Sequence, residues 1–495
     1  MANDSNKSLK KGSLGVAGIV FFVVAASAPL IGMTGAVPVA MLLGNGAATP
    51  GAYLAVGLTL LVFSVGYAAM SHKVTNAGAF FAYVGKGLGP NAGVGSAYAS
   101  IIGYVTIQLA IYGFFGLVIQ LTMSSFGVDL VWWAWALIAW AIVTGLSLLS
   151  VDVGAKVLGV LLTLELLSLI VVGIAILIDG GPEGLNFGAS FDPTLVFAGG
   201  FAGTAGIALA FAFASFIGFE ATAIYGEESK NPKRDVPLAT YWAIGIISTL
   251  FAVVSFAMVT GMGASQIFDQ VIERSTGLDD PAAVLFSLAA EFVSPELVLI
   301  MAILVLTSLF AGLLAFQNAA ARYFFAMGRG GVMPAALGQT NAAGAPQNGS
   351  LLTSVIAGAV IVIFAIAGLD PFLNLFSWMS GIAVIAVVAV EVLVSIAVIA
   401  YFQKNGGGTV WNSKIAPGLA IVLLLSGLYL LMSRFNLLAG TVADGVDPSL
   451  PESAWALSGL GWFLVLLPFI AMVIGYVVAS VKKDKNGALV KDFAS

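Results

Sequence analysis

Residues 20–35 read Val20-Phe-Phe-Val-Val-Ala-Ala-Ser27-Ala28-Pro29-Leu30-Ile31-Gly32-Met33-Thr34-Gly35. The run is apolar enough for a helix in lipid, yet its middle resists helix formation. Pro29 removes a backbone donor and clashes with the preceding turn, and Gly32 and Gly35 lower the cost of unwinding. A second apolar run, Phe213-Ala-Ser215-Phe216-Ile217-Gly218-Phe219-Glu220, carries a glycine and a carboxylate at its centre. Non-helical backbone at mid-membrane depth is tolerated only where protein or a water-filled cavity surrounds it. The plainer reading is a simple kink at Pro29, with glycines serving close helix packing as at Gly199 and Gly203.

Composition places both runs in a membrane. Of 495 residues, 60% are hydrophobic and 9% charged, against roughly 25% charged in soluble domains; mean hydropathy is +1.05. Twelve helices of about 20 residues would use about 240 of the roughly 297 apolar residues. Transmembrane barrels alternate apolar and polar positions, whereas 351–369 and 382–390 do not. The absence of cysteine excludes disulfides and thiolate chemistry, and His72, the single histidine, excludes a histidine-rich metal centre. The basic start (Lys7, Lys10, Lys11) leads into an apolar run too long for the core of a cleavable signal, so the first span is expected to be retained.

The expected fold is an all-α polytopic membrane protein. Its twelve spans fall at about 14–43, 51–71, 93–124, 131–150, 154–179, 200–227, 237–262, 296–328, 351–369, 372–402, 415–434 and 455–480. Residues 1–13 and 481–495 are short tails. Residues 14–402 form a core of two five-helix repeats, about 14–179 and 200–402, and 415–480 hold spans 11 and 12. With both termini inside, 17 of the 19 basic residues fall on the cytoplasmic face, leaving only Arg274 and Arg434 outside; basic residues favour short cytoplasmic loops. Asp269, Glu273, Asp279, Asp280, Asp444, Asp447 and Glu452 collect on the opposite face. The expected location is therefore the cytoplasmic membrane, multi-pass.

Interruptions at corresponding places in two halves point to a central transport site. Freed amides at a half-helix N-terminus attract a carboxylate, and freed carbonyls attract an ammonium group, a combination suited to a zwitterion. Three stretches then resemble the amino acid–polyamine–organocation (APC) superfamily, on the leucine-transporter type of fold. They are Phe216-Ile-Gly-Phe-Glu220 with Gly226-Glu-Glu-Ser-Lys-Asn-Pro-Lys-Arg-Asp-Val-Pro237, Asn318-Ala-Ala-Ala-Arg322-Tyr-Phe-Phe-Ala-Met-Gly-Arg329-Gly-Gly-Val-Met-Pro334, and Asn76-Ala-Gly78-Ala-Phe-Phe-Ala-Tyr83. The resemblance implies a 5+5 inverted repeat, with spans 1 and 6 unwound and spans 11 and 12 added. It also implies alternating-access transport of amino acids or related amines. By position, Ser27, Ala28, Pro29, Leu30, Ile31, Gly32 and Met33 would face the substrate carboxylate. Ser215, Phe216, Ile217 and Gly218 would offer carbonyls to its amino group, with Phe216 as an aromatic gate. Many members carry a Gly-Ser-Gly triplet in span 1; this chain has Pro29 and Gly32 instead.

Glu165, Glu220 and Glu391 are the carboxylates inside spans, expensive there and hence functional candidates. A carboxyl group removed from water favours its neutral form, as a proton carrier needs. Glu220 and Glu165 are the expected proton-coupling residues. The plainer alternatives are a carboxyl bonding the freed backbone at Glu220 and an interhelical hydrogen bond at Glu165. Glu391 reads as structural, towards the cytoplasmic end of span 10. Thr307 and Ser308 are a candidate sodium site by resemblance, although hydroxyls in membrane helices commonly bond backbone. Tyr104, Gln108 and Tyr112 form one polar stripe on span 3, facing either a cavity or a neighbouring helix. Phe211, Phe213, Phe216 and Phe219 suggest an apolar side-chain pocket.

The expectation is thus a secondary transporter importing an amino acid with protons. The alternatives are an amine or polyamine carrier, an exchanger, a sodium symporter and, from another class, a channel or nutrient sensor. No cofactor, metal or nucleic acid is implied, and neither a nucleophile–base pair nor a metal cluster suggests an enzyme. The partners are a small-molecule substrate, the lipid bilayer and a coupling ion, H+. The outer segment 263–295 is expected to fold into short helices acting as a lid, or to be a passive loop.

Overall fold

The computed structural model describes residues 15–73, 79–149, 155–220, 222, 229–342 and 344–482. Expectations placed on Lys7, Lys10, Lys11, Asn76, Gly78, Gly226, Glu227, Glu228, Lys483, Lys485 and Lys491 lie outside these residues, as does the side chain of Lys156. Among the described residues the chain is helical, with one isolated β-bridge between Val442 and Leu457 and no longer strand.

The long helices are α1 (Val16–Ser27), α2 (Thr49–Ser71), α3 (Pro90–Ser124), α4 (Trp132–Leu148), α5 (Ala155–Asp179) and α6 (Ala205–Phe216). The second half supplies α7 (Pro232–Met262), α8 (Pro295–Arg329), α9 (Gln347–Ile366), α10 (Ser377–Asn405), α11 (Ala416–Ser433) and α12 (Gly459–Val481). Proline opens α3, α7 and α8, where its missing N–H has no helical partner to lose. By length and apolarity the described residues hold nine candidate membrane spans, or ten if the pair Pro193–Ala202 and Ala205–Phe216, bent by 113°, is one span. The first of the nine, Val16–Ser71, contains both α1 and α2, and the 17-residue Trp132–Leu148 is a shorter apolar helix outside that set.

Packing sorts the helices into two groups. In one, α7 packs on α1 and α2, and α6 on α2; in the other, α3, α4, α8 and α9 pack on one another. Members of each group correspond with an offset of five helices: α1 and α2 with α6 and α7, and α3 and α4 with α8 and α9. Helix α10 lies between the groups, against α2, α3 and α6, while α12 packs on the outer flank of α3. In its most apolar stretch α3 is 94% buried and α12 only 28%, which makes α3 an internal post and α12 a lipid-facing helix. The segment after α7 folds into two short helices, Ile267–Ser275 and Ala282–Phe292.

Candidate functional site

The regular ladder of α1 stops at Ser27. Ala28 adopts φ +42° and ψ +67°, a left-handed conformation uncommon for any side chain but glycine. Pro29 opens the next turn, and the ladder resumes where the Gly32 amide donates to the Ala28 carbonyl at 3.2 Å. First-turn amides have no partner inside their own helix, and no side chain caps this turn. Leu30 and Ile31 are buried, and their amides have no partner within this turn.

The regular ladder of α6 likewise stops, at Phe216. The amides of Ile217 and Phe219 turn back only three residues, to Ala214 and Phe216, each at 3.1 Å. Gly218 stands at φ +111°, and a Cβ there would lie 3.1 Å from the Ala26 Cβ of α1. A Cβ on Gly32 would likewise collide with the Phe251 ring and lie 3.3 Å from the Ser215 hydroxyl. The two breaks thus face each other, close enough that glycine is needed on both sides. Ser215 Oγ donates to the Phe211 carbonyl at 2.9 Å and lies 3.5 Å from Tyr53 Oη. Tyr53 stacks on Phe251 with ring centroids 4.9 Å apart.

Glu220 closes the second break. Its Oε2 accepts from the Gly218 amide at 2.8 Å, its Oε1 accepts from Tyr104 Oη at 2.5 Å, and its carbonyl accepts from Tyr67 Oη at 2.8 Å. The residue is wholly buried. One carboxyl therefore satisfies backbone freed by the break and ties it to α3, while Tyr67 ties the same turn to α2. Of the expected stripe on α3, Tyr104 reaches this site, whereas Gln108 Nε2 donates to Gln317 Oε1 of α8 at 2.7 Å. Tyr112 Oη has no hydrogen-bond partner among the described residues.

Glu165 and Ser308 come together: the Ser308 hydroxyl donates to Glu165 Oε2 at 3.0 Å. Their helices, α5 and α8, both pack on the turn Pro29–Ile31, so this pair adjoins the first break. Thr307 stands apart, its hydroxyl donating to the Leu304 carbonyl of its own helix at 2.9 Å. Ser27 similarly bonds Val24, and Met33 and Phe213 are buried beside the breaks.

Sequence reasoning missed Tyr67, whose partner is 153 positions away, and the setting of Glu391. The latter lies at the middle of α10, not towards its end, because the helix continues to Asn405. It lines a small cavity with Ile217, Phe216 and Phe219 of the α6 break. A carboxylate inside an unbroken apolar run was the available signal.

Buried aromatics close the site on both sides. Phe114 meets Phe372 and Phe376, each at 5.4 Å, and Phe211 stacks on Phe376 at 6.0 Å. Beyond the α6 break, Phe219 meets Phe63 at 6.0 Å and Phe80 at 6.4 Å.

Comparison with known proteins identifies the family. The family model described as amino acid permease matches residues 18–486. A branched-chain amino acid permease of Lactococcus lactis is 29% identical over 177 residues, covering 35% of this chain and 36% of that protein. An amino-acid permease of Candida albicans is 24% identical over 372 residues, 72% of this chain and 57% of the relative. A histidine permease of Saccharomyces cerevisiae is 26% identical over 259 residues, 50% of this chain and 42% of that protein. The chain thus matches less than two thirds of the length of each of these relatives.

Proposed function

This chain belongs to the amino acid permease family, and from that premise we propose that it imports an amino acid across the cytoplasmic membrane by alternating access, coupled to protons. The observation that carries the reading is the meeting of two broken helices at Gly218 and Ala26, with Glu220 bonded into one break. The amides of Leu30 and Ile31 would receive the substrate carboxylate. Carbonyls at Ser215 to Gly218 would receive its ammonium group, and Phe213, Phe216 and Phe251 would surround an apolar side chain. A branched-chain amino acid fits such walls, and relatives are named for that substrate class. Glu220 and the Glu165–Ser308 pair are the proposed places for the coupling proton. The five-helix offset between the two packing groups supports twelve spans arranged as a 5+5 inverted repeat followed by α11 and α12. Basic residues gathered on one face support both termini being cytoplasmic.

The test is uptake by the purified chain in liposomes, with leucine, isoleucine, valine, histidine and putrescine as labelled probes. Each is offered under a proton gradient, under a sodium gradient, and with the same compound trapped inside. Leucine accumulation driven by the proton gradient and reduced at least tenfold in Glu220→Gln is the expected result. Dependence on sodium or on trapped substrate would replace proton symport with the corresponding mechanism, and putrescine uptake alone would replace the substrate class. No uptake of any probe by folded protein would overturn the reading.

A further inference from the structure

Glu391 is buried at 1% exposure, and its Oε2 has no hydrogen-bond partner among the described residues. It lines a cavity with room for about one water molecule. The other walls are apolar: Leu60 of α2, Val387 and Val388 of α10, and Phe216, Ile217 and Phe219 around the α6 break. An ionised carboxylate without a counter-charge in such surroundings is far too costly to persist, and none of the described basic side chains forms an ion pair with it. Both oxygens of Glu220 are bonded, whereas Oε2 of Glu391 finds no partner among the described residues and its side chain forms part of the cavity wall.

The charged and titratable groups around it are few. Glu220 lies across the break, bonded to the Gly218 amide and to Tyr104. Tyr104 of α3 and Tyr67 of α2 are both committed to Glu220. The short helix Ala79–Leu88 carries Tyr83 and Lys86, but its Gly87 meets Ala397, six residues or about 9 Å of helix rise beyond Glu391. Tyr429 of α11 and Tyr476 of α12 point outward and are exposed.

We propose that Glu391 is a further proton-binding site, loaded while the α6 break is packed against α10 and emptied when that break moves away. The proposal rests on the transport reading above and adds a site to it. Three of the nine lining residues, Phe216, Ile217 and Phe219, belong to the break, so any displacement of α6 against α10 changes the access of water to the carboxyl. On opening, the proton passes to water as hydronium and leaves a solvated carboxylate. On reloading, a hydronium ion on the other side returns it.

Two measurements on the full chain test this. The first follows protonated-carboxyl bands by infrared spectroscopy while pH alone is varied, comparing wild type with Glu391→Gln and Glu391→Met. The expected result is a band at neutral pH that is missing from both variants and that disappears on alkaline titration of the wild type. Its absence from the wild type would overturn the proposal, whatever drives uptake. The second measures leucine accumulation with the membrane potential clamped at zero. Each coupled proton then multiplies the accumulation ratio by about ten per pH unit. Glu391→Gln should lower the ratio of accumulation to exchange about tenfold, and an unchanged ratio would overturn the coupling role. Failure of the wild type to respond to the proton gradient would sink the symport reading, and the infrared result would still decide whether Glu391 holds a proton.

Discussion

Gly218 shows how much of the site depends on single residues. Its φ of +111° and its neighbour Ala26 leave no place for a side chain, and holding a substituted residue in such a region costs about 1–3 kcal/mol. Gly218→Ala should therefore destabilise the protein by about that amount in chemical denaturation and cut initial leucine uptake at least tenfold. Gly145, in the interior of α4 with open space around its Cα, is the control: Gly145→Ala should leave uptake unchanged and add up to about 1 kcal/mol of helix stability. Wild-type transport by Gly218→Ala would mean that the break does not need this backbone. Pro29, Gly32 and Gly218 were legible in the sequence because they act locally, through a missing donor or a missing side chain. What Glu220 bonds was not legible, since Tyr67 and Tyr104 approach from helices far away in sequence. The separation of Ser308 from Thr307 depends on helix facing, which adjacency in sequence hides. Glu391 was visible as a carboxylate, but its relation to the α6 break exists only in the packed molecule.

At the scale of elements, the turn before α6 is tied to α11 and to the loop before α12 by the side chain of Arg434. Arg434, the outward exception to the charge pattern, is buried at 1% exposure at the end of α11. Its guanidinium donates to the carbonyls of Ala202 and Gly203, which precede α6, and to those of Pro448, Leu450 and Pro451 in the loop before α12. It also donates to the Ser453 hydroxyl at 2.8 Å. A rigid five-donor fork can serve this many acceptors, and a lysine ammonium cannot. Each buried carbonyl left unbonded costs about 1–3 kcal/mol. Arg434→Met should then destabilise the protein by more than about 3 kcal/mol, and Arg434→Lys by less, in thermal unfolding of the detergent-solubilised chain. Equal, small shifts for both variants would show that water replaces the fork. The element boundaries were largely legible because proline and glycine punctuate them. The exceptions were α6, where lipid-compatible sequence runs straight through a 113° bend, and α10, where the position of Glu391 depended on how far the helix extends.

At the scale of the whole molecule, the breaks lie between two buried aromatic clusters, one where α3 meets α10 and one where α2 meets the helix Ala79–Leu88. A carrier opens one cluster at a time, whereas a channel opens both together. The chain contains no cysteine, so single cysteines can report each side without background. Ser377, beside Phe376 with its hydroxyl bonded to the Phe372 carbonyl at 3.1 Å, reports the first cluster. Ser71, at the end of α2, reports the second. Both are buried, at 2% and 7% exposure, so labelling by a membrane-impermeant thiol reagent requires opening. Alternating access predicts that Ser377→Cys and Ser71→Cys are labelled from opposite faces of the liposome. Conditions that raise one labelling rate should lower the other, each by severalfold. In the double variant, labels entering together at rates that rise in parallel would describe a continuous pore. The two packing groups would then be walls of a channel, and the coupled movement of α6 against α10 would lose its basis.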